Sequence, residues 1–215
     1  MPIAPITIHS IHTGQPRTIH DGSGRWRSSI FREPVAGPIL LTEQGLVGDK
    51  VTDTRHHGSL DQAICCHSMD HYRHWQEVYG VDLGAGGVGE NWTLLNAGEE
   101  AICIGDIFDV GQAQVQVTSP RVPCNTQQRK VKLDNWVNAS IDALRTGFYL
   151  RVLTPGMVQA GDTLALAERL HPAATIWAVN DCRYHHFDPA FAAHLAALPE
   201  LMGSWQKHFH NRLPK

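Results

Sequence analysis

The chain has 215 residues, which suits one domain with an appendage or two small domains. It carries 18 lysine and arginine residues against 21 aspartate and glutamate residues, a formal charge of −3. A nucleic-acid binder normally shows a basic excess, so that class is disfavoured. Hydrophobic residues make up 42% of the chain, enough for a sizeable core, which excludes disorder for most of it.

The cysteines indicate a reducing environment. They are odd in number and form no Cys-x-x-Cys pair, which disfavours a disulfide framework: Cys65, Cys66, Cys103, Cys124 and Cys182. The N-terminal residues show no basic stretch followed by an apolar one, so no signal peptide is expected. No apolar run approaches the length of a membrane-spanning helix. We therefore expect a cytoplasmic protein with neither a membrane nor a nucleic acid as partner.

Short apolar segments separated by turn residues dominate the first two-thirds of the chain. Their alternation predicts strands at 3–11, 39–41, 101–104, 107–110, 114–118, 148–153 and 162–166. Cys65 and Cys66 lie in a further presumed strand, where neighbouring side chains point to opposite faces. Many short strands joined by glycine- and proline-rich turns are typical of a barrel or a sandwich.

Two helices are predicted to interrupt this sheet. The first begins after Ser68, a candidate N-cap, and ends at Gly80. Asp134 is the candidate cap of the second. Trp75 and Tyr79 share one face of the first helix, and their expected exposure leaves a homodimer open as an assembly.

After residue 168 the sequence changes from strand patterns to helix patterns. Asp188 followed by Pro189 is typical of a helix start, and it opens a segment rich in alanine and leucine. Ser204 is the candidate cap of a last helix. The predicted organisation is a mainly β domain at 1–168 and a small C-terminal helical appendage at 169–215.

The sharpest local motif is a rigid turn that ends in a cysteine. The segment 119–124, Ser-Pro-Arg-Val-Pro-Cys, follows a predicted strand, and its two prolines keep the backbone extended. Cys124 lies near Arg121, with Arg129 and Lys130 a few residues further on. Positive neighbours favour the thiolate, the form of cysteine that attacks electrophiles and binds metals. The motif therefore indicates a functional thiol, with a small buried loop thiol as the alternative.

Two other polar segments are candidate ligand sites. Residues 49–61 are dense in charge, and Arg55, His57 and the backbone near Gly58 are groups that hold an anionic ligand. An ordinary polar connection is the alternative for this segment. The glycine-rich run 84–89 lacks the lysine that ends a phosphate-binding P-loop, so it gives little support for one.

The 14 histidines raise a third hypothesis. His67, His71 and His74 have spacings that place three imidazoles on one face if the helix includes all of them. A zinc hydrolase built on these side chains is therefore an alternative, although no His-Glu-x-x-His motif is present.

Taken together, these segments resemble the MOSC domain family, named for the C-terminal domain of molybdenum cofactor sulfurase, in its bacterial stand-alone branch. The resemblance runs from Thr13 to Leu166. It rests on the order and spacing of several short matches: 28–35, 45–49, His57 and Gly58 with Asp61 and Ala63, His71 and Tyr72 with Trp75, 89–91, 105–106 and 120–124. The Pro-Arg-Val-Pro-Cys element at 120–124 is the most diagnostic of these.

The resemblance implies a MOSC-type β-barrel that binds the molybdenum cofactor, a pterin dithiolene with a phosphate tail. Cys124 would be the thiolate ligand to the metal. The implied reaction is the reduction of N-hydroxylated compounds, such as 6-hydroxylaminopurine and other N–OH or N-oxide substrates, with electrons from a separate reductase. A non-redox carrier of the cofactor, or a sulfur-transfer module, is the alternative on the same fold. Pyridoxal phosphate is a second ligand that the resemblance admits.

The resemblance also implies a set of residues around the cofactor. Cations and backbone donors would bind the phosphate, Glu90 and Asn91 the pterin ring, and Asp61 would orient a loop or an arginine. The full predicted set is Arg32, Arg55, His57, Gly58, Asp61, Glu90, Asn91 and Arg121. Gln62 departs from the family pattern, which has a basic residue there, and this departure removes one candidate phosphate contact.

Overall fold

A computed structural model describes residues 5–22 and 24–214. The strands are β1 (Ile6–Thr13), β2 (Arg17–Asp21), β3 (Gly24–Ser28), β4 (Glu33–Pro34), β5 (Ile39–Thr42), β6 (Gly45–Leu46), β7 (Ile64–Ser68), β8 (Trp92–Leu95), β9 (Ile107–Val110), β10 (Ala113–Pro120), β11 (Phe148–Thr154), β12 (Gly156–Val158) and β13 (Thr163–Glu168). The helices are α1 (Thr54–His57), α2 (Met69–Tyr79), α3 (Asn125–Val131), α4 (Trp136–Asp142), α5 (Ile176–Tyr184), α6 (Pro189–Ala197) and α7 (Gly203–Arg212), with a 3₁₀ turn at Leu60–Gln62. Within the described ranges, no helix is long and apolar enough to cross a membrane.

Seven of these strands close into a barrel, which confirms the predicted fold class. Their order is β13-β9-β10-β11-β7-β8-β1, and β1 pairs back onto β13 to complete the circle. Neighbouring strands run antiparallel except β7 and β8, which are parallel. The hairpin of β2 and β3 and the small sheet of β12, β5 and β6 lie outside the barrel circle.

The barrel and the C-terminal helices share one hydrophobic core. Val115 and Val117 alternate along β10 and are fully buried, as the alternation predicts. Leu195 of α6 and Phe209 of α7 are equally buried and belong to the same cluster. The helical appendage therefore packs directly on the barrel, and the domain boundary after residue 168 stays a prediction.

Local signals predicted most elements, with a few corrections. Five of the predicted strands are confirmed, as β5, β9, β10, β11 and β13, and β1 confirms the described part of a sixth, since residues 3 and 4 lie outside the described ranges. Ser68 caps α2 by accepting from the Asp70 N–H, Gly80 ends it with a φ of +67°, and Asp188 caps α6. The caps at Asp134 and Ser204 were wrong by one or two residues, because α4 begins after Asn135 and α7 after Met202.

Residues 101–104 do not form the predicted strand. The segment makes turns and one isolated bridge, between Cys103 and Thr175. The side chain of Asp106 accepts a hydrogen bond from the Cys103 N–H at 2.9 Å, and Arg169 holds the same carboxylate at 2.7 Å. Because the Cys103 N–H bonds to the Asp106 side chain, and the backbone of Ile102 and Ile104 bonds to residues 174 and 176, the apolar run packs into the core without joining the barrel sheet.

The face of α2 that was expected to be exposed is partly buried. Trp75 is 1% exposed, and its ring lies 4.8 Å from that of Trp136 in α4. Tyr79 is 41% exposed. The expectation of an exposed tryptophan was therefore wrong, and a homodimer through this face loses its main support.

Gly147, in the turn before β11, gives a stability prediction with a matched control. Its φ is +77°, and an added Cβ would lie 2.3 Å from the carbonyl oxygen of Cys66. Gly161 has a φ of +94°, but within the described chain nothing lies within 4 Å of its Cβ position. Gly147→Ala should lower the free energy of unfolding by at least about 2 kcal/mol, and Gly161→Ala by about 1 kcal/mol, because only the first adds overpacking to backbone strain. Urea unfolding measures both, and equal losses would contradict the prediction.

Candidate functional site

A cavity of about 800 Å³ opens beside the end of β10. This volume is in the range of small-molecule and cofactor sites. The wall brings together most of the predicted site residues from distant parts of the chain: Arg32, His57, Gly58, Asn91, Arg121 and Cys124. The structure therefore brings to one cavity wall six residues that lie far apart in the sequence.

Cys124 lies at the junction of two cavities. It follows the rigid turn after β10 and is the N-cap residue of α3, a helix that the sequence did not predict. Of the five cysteines, it alone is not buried. It also lines a second cavity of about 600 Å³ on the side of the C-terminal helices. A partly exposed thiol in this position is accessible to ligands from both sides.

Arg121 is the buried cation of the wall. Its Nη2 donates to the carbonyl oxygen of Val88 at 3.0 Å, while its buried Nη1 has no partner among the described residues. Burial disfavours the charged form, but a guanidinium keeps its proton in proteins, so Arg121 stays charged beside the cavity. A charged donor without a partner at a cavity wall suits an anionic ligand.

Arg32 and Asn91 also line the cavity, but the largely buried carboxylate of Asp49 holds both. Nε and Nη2 of Arg32 donate to the two oxygens of Asp49 at 3.0 and 2.9 Å, and Nη1 donates to the carbonyl oxygen of Gly89 at 2.6 Å. The Asn91 amide donates to Asp49 at 3.0 Å. These side chains therefore fix the shape of the wall, and the role of Asp49 is structural.

Glu90 does not reach the cavity, which corrects its predicted contact with the pterin. The residue is fully buried, and its Oε1 accepts hydrogen bonds from the Tyr72 hydroxyl, the Thr93 hydroxyl and the Gly86 N–H. The Glu90 carboxylate therefore anchors the glycine-rich loop from inside. The amide of Gly86 is used in this network, so the run at 84–89 does not form a phosphate loop at this position.

Arg55 and Asp61 also lie outside the cavity wall. Arg55 is exposed on the short helix α1, where its backbone N–H donates to Asp53. Asp61 pairs with Nη2 of Arg151 at 3.0 Å. Asp61 thus orients an arginine, which is one of the two roles expected for it. Neither Arg55 nor Asp61 lines the cavity.

The two cations predicted to flank Cys124 from α3 are held elsewhere. Arg129 pairs with Asp21 of the β2–β3 hairpin at 2.8 Å and stacks on the ring of Trp26 at 4.1 Å. Lys130 donates to the carbonyl oxygen of Gly86 at 2.6 Å, and burial lowers the pKa of Lys130 to about 8. Of the three basic residues near Cys124 in sequence, Arg121 is the one that lines the cavity.

Several residues of the cavity wall were not predicted as site residues from the sequence. They include two exposed cations, three hydroxyl groups and a second thiol: Arg27, Lys50, Ser28, Ser29, Thr52 and Cys65. Cys65 lines the cavity, whereas its neighbour Cys66 lies in the barrel core, so the expected opposite orientation of the two thiols is confirmed. Burial raises the pKa of Cys65. Lys50 directly follows Asp49 at the start of the charge-dense segment 49–61, and this position could have indicated it as a site residue.

The histidine hypothesis is not supported. His67 belongs to β7 and only His71 and His74 to α2, so the prediction of one shared helix face was wrong. His71 pairs with Glu99 at 2.6 Å in the interior. Within residues 5–22 and 24–214, no group of three or more His, Cys, Asp or Glu side chains is placed to hold a metal ion.

Buried His67 gives a prediction for the pH dependence of stability. Burial, then His71, Arg121 and Arg145, lowers the pKa of His67 well below 6.5. The unfolded chain therefore binds a proton that the folded protein does not, and the free energy of unfolding falls as the pH drops below about 6.5. His67→Gln should make this decline shallower by up to about 1.4 kcal/mol per pH unit. Urea unfolding between pH 7 and 5 measures both slopes, and identical slopes would contradict the prediction.

Comparison with known proteins identifies the family. A family model described as the MOSC domain matches residues 53–165. The chain belongs to the MOSC domain family.

The relatives place the chain among stand-alone members of the family. Its structure is similar to the crystal structure of YiiM from Geobacillus stearothermophilus, with a TM-score of 0.84 and 36% identity over 98% of this chain and 100% of that one. The chain is 30% identical to the Bacillus subtilis protein YflK over 94% of this chain and 92% of that protein. It is 32% identical to a protein of Gibberella moniliformis named "Reductase", over 69% of this chain but 27% of that protein.

Proposed function

We propose that this protein uses the molybdenum cofactor to reduce N-hydroxylated compounds, with Cys124 as the thiolate ligand to molybdenum. The observation that carries the proposal is the partly exposed Cys124 thiol beside Arg121, a buried cation with a donor left unpaired in the described chain. Membership of the MOSC domain family supports cofactor binding, and the similarity to a protein named "Reductase" supports redox activity.

The donor set of the first cavity suits this group. A soft thiolate is the ligand type that molybdenum takes from a protein, and Cys124 is the accessible one. Arg121 would bind the phosphate tail with its unpaired Nη1, together with Lys50 and Arg27 at the rim. The hydroxyl groups of Ser29 and Thr52, which lie 3.3 Å from each other on the wall, would serve the polar edge of the pterin.

The chain's own contribution is binding and orientation. When bound, the cofactor supplies the two-electron redox chemistry. The carboxylate of Asp49 fixes Arg32 and Asn91, so the wall is rigid before any ligand arrives. The turn at 120–123 presents Cys124 from a strand end, and the hydrogen bond to Val88 fixes Arg121.

The overall reaction is balanced by a separate electron donor. The N–O bond of the substrate breaks, the amine forms, and the oxygen leaves as water with two protons from solvent. The two electrons come from a reductase protein, which is the partner that the proposal requires. A carrier that holds the cofactor without this chemistry is the competing function.

A reconstituted assay tests the proposal. The full-length protein is purified from a host that makes the molybdenum cofactor and from one that does not. Each preparation receives 6-hydroxylaminopurine and a viologen dye reduced chemically as electron donor. The proposal expects adenine from the first preparation alone. Cofactor binding without adenine would favour the carrier, and pyridoxal phosphate in place of the pterin would overturn the proposal.

A further inference from the structure

The β2–β3 hairpin lies outside the barrel circle and has two faces of different character. Thr18 pairs with Arg27 across the hairpin, and His20 pairs with Arg25, so these four side chains share one face. All four residues are exposed. We call this set of four residues the outward face.

The opposite face of the hairpin packs against the protein. Ile19 and Trp26 are half-buried there. The guanidinium of Arg129 in α3 lies 4.1 Å from the centre of the Trp26 ring, and Arg129 also pairs with Asp21 at 2.8 Å. The hairpin is therefore fixed to α3 by its inner side, which turns the outward face away from that helix.

The outward face is positively charged, although the whole chain has a formal charge of −3. The two strands hold three arginines and one aspartate, and that aspartate, Asp21, is neutralised by Arg129. Glu33, which follows the hairpin, pairs with Arg17 at 3.6 Å. In the described chain, no ion pair involves the two arginines of the outward face. Unpaired cations on one face attract an acidic surface and speed its encounter with the protein.

The outward face continues onto the rim of the first cavity. Arg27 lines that cavity, and so does the exposed Lys50, whose N–H donates to the carbonyl oxygen of Gly14 shortly before β2. A protein seated on Arg25 and His20 would therefore border the cavity opening without filling it. Weak electron-transfer complexes bury less than about 1,200 Å² in total, so a small face of this kind is sufficient for one.

We propose that the outward face docks the electron-donating reductase, through an acidic surface around the flavin or iron–sulfur centre of that protein. The identity of the partner rests on the proposed function, whereas the attraction of an acidic protein to this face does not. In each turnover the partner is oxidised by two electrons, which pass to the protein across the cavity rim, and the two protons come from solvent. A nucleic acid is the less favoured partner, because two arginines neutralise few phosphates.

Direct binding tests the proposal without the cofactor. The full-length chain from a cofactor-deficient host is titrated with oxidised flavodoxin, a small acidic flavin protein, by calorimetry at about 0.1 M and about 1 M salt. Arg25→Glu should raise the dissociation constant about tenfold at the lower salt, His20→Glu should act in the same direction, and the higher salt should weaken wild-type binding. Arg73→Glu, at an exposed position on α2, is the matched control and should leave the constant unchanged. Equal melting temperatures establish that the variants are folded.

Kinetics of the cofactor-loaded protein separate this proposal from the proposed function. With chemically reduced flavodoxin as donor, Arg25→Glu should lower kcat/KM for the donor about tenfold, while turnover with the small viologen dye stays unchanged. Flavodoxin binding that depends on Arg25, in a protein that reduces no N-hydroxylated substrate with either donor, would overturn only the proposed function. Viologen-driven turnover with flavodoxin binding that ignores Arg25→Glu, or with no flavodoxin binding, would overturn only the docking face. A DNA oligonucleotide that binds through Arg25 more tightly than flavodoxin would overturn the choice of partner.

Discussion

Cys124→Ser is expected to abolish the reduction of N-hydroxylated substrates while leaving the protein folded. The change replaces one sulfur by one oxygen at a partly exposed position, so little packing is lost. A hydroxyl group is a hard and protonated ligand that does not replace a thiolate on molybdenum. Changes to groups that merely support a metal ligand cost 10–100-fold in affinity or activity, so loss of the ligand itself should lower kcat/KM by more than about 100-fold.

Adenine production from 6-hydroxylaminopurine measures this loss. Cys103→Ala is the matched control, because Cys103 is a buried thiol whose Sγ contacts the carbonyl oxygen of Pro172, away from both cavities. It should retain activity even if its melting temperature falls. Cys124→Ser with turnover close to that of the wild type would remove the thiolate from the mechanism.

Asp49→Ala is expected to produce the largest loss of stability among changes around the site. Asp49 accepts two hydrogen bonds from Arg32, and both side chains are about one-tenth exposed. Removing the carboxylate leaves a largely buried guanidinium without its counter-charge and frees the amide of Asn91. Breaking such a pair typically costs about 3–5 kcal/mol, so we expect the free energy of unfolding to fall by about 3 kcal/mol.

A double variant separates the loss of charge balance from the loss of packing. Arg32→Met combined with Asp49→Leu removes both charges and keeps apolar volume, so it should regain part of the stability lost in Asp49→Ala. Urea unfolding at neutral pH measures both proteins. A loss of less than about 1 kcal/mol in Asp49→Ala would show that solvent in the cavity screens Arg32 and that the pair does not brace the wall.

The fold was largely predictable because its signals are local. Alternation at Val115 and Val117 marks β10, and both ends of α2 carry residues suited to capping, Ser68 and Gly80. Helix α3 escaped prediction because the polar residues after Cys124 show no apolar period. The run at 101–104 was mistaken for a strand because the side chain of Asp106, which competes for its backbone, gives no signal in a hydrophobicity pattern.

The site was harder to predict because side-chain charges are neutralised over long sequence separations. Arg129 meets Asp21, which lies 108 positions earlier, and Arg32 meets Asp49 across the cavity wall. The motif at 120–124 marks Arg121, but nothing near Arg32 or Arg129 in sequence shows that a carboxylate pairs with each of them, whereas Arg121 keeps an unpaired donor in the described chain. The second cavity depends on how α5 and α7 pack against the barrel, and no motif marks that contact.

The molybdenum content of the purified protein tests the central claim most directly. Wild-type protein, Cys124→Ser and Cys103→Ala are expressed in a host that makes the cofactor, and metal per chain is measured by mass spectrometry. The account predicts about one molybdenum per chain in the wild type and in Cys103→Ala, and none above background in Cys124→Ser. Wild-type protein without molybdenum, or equal molybdenum in Cys124→Ser, would contradict it.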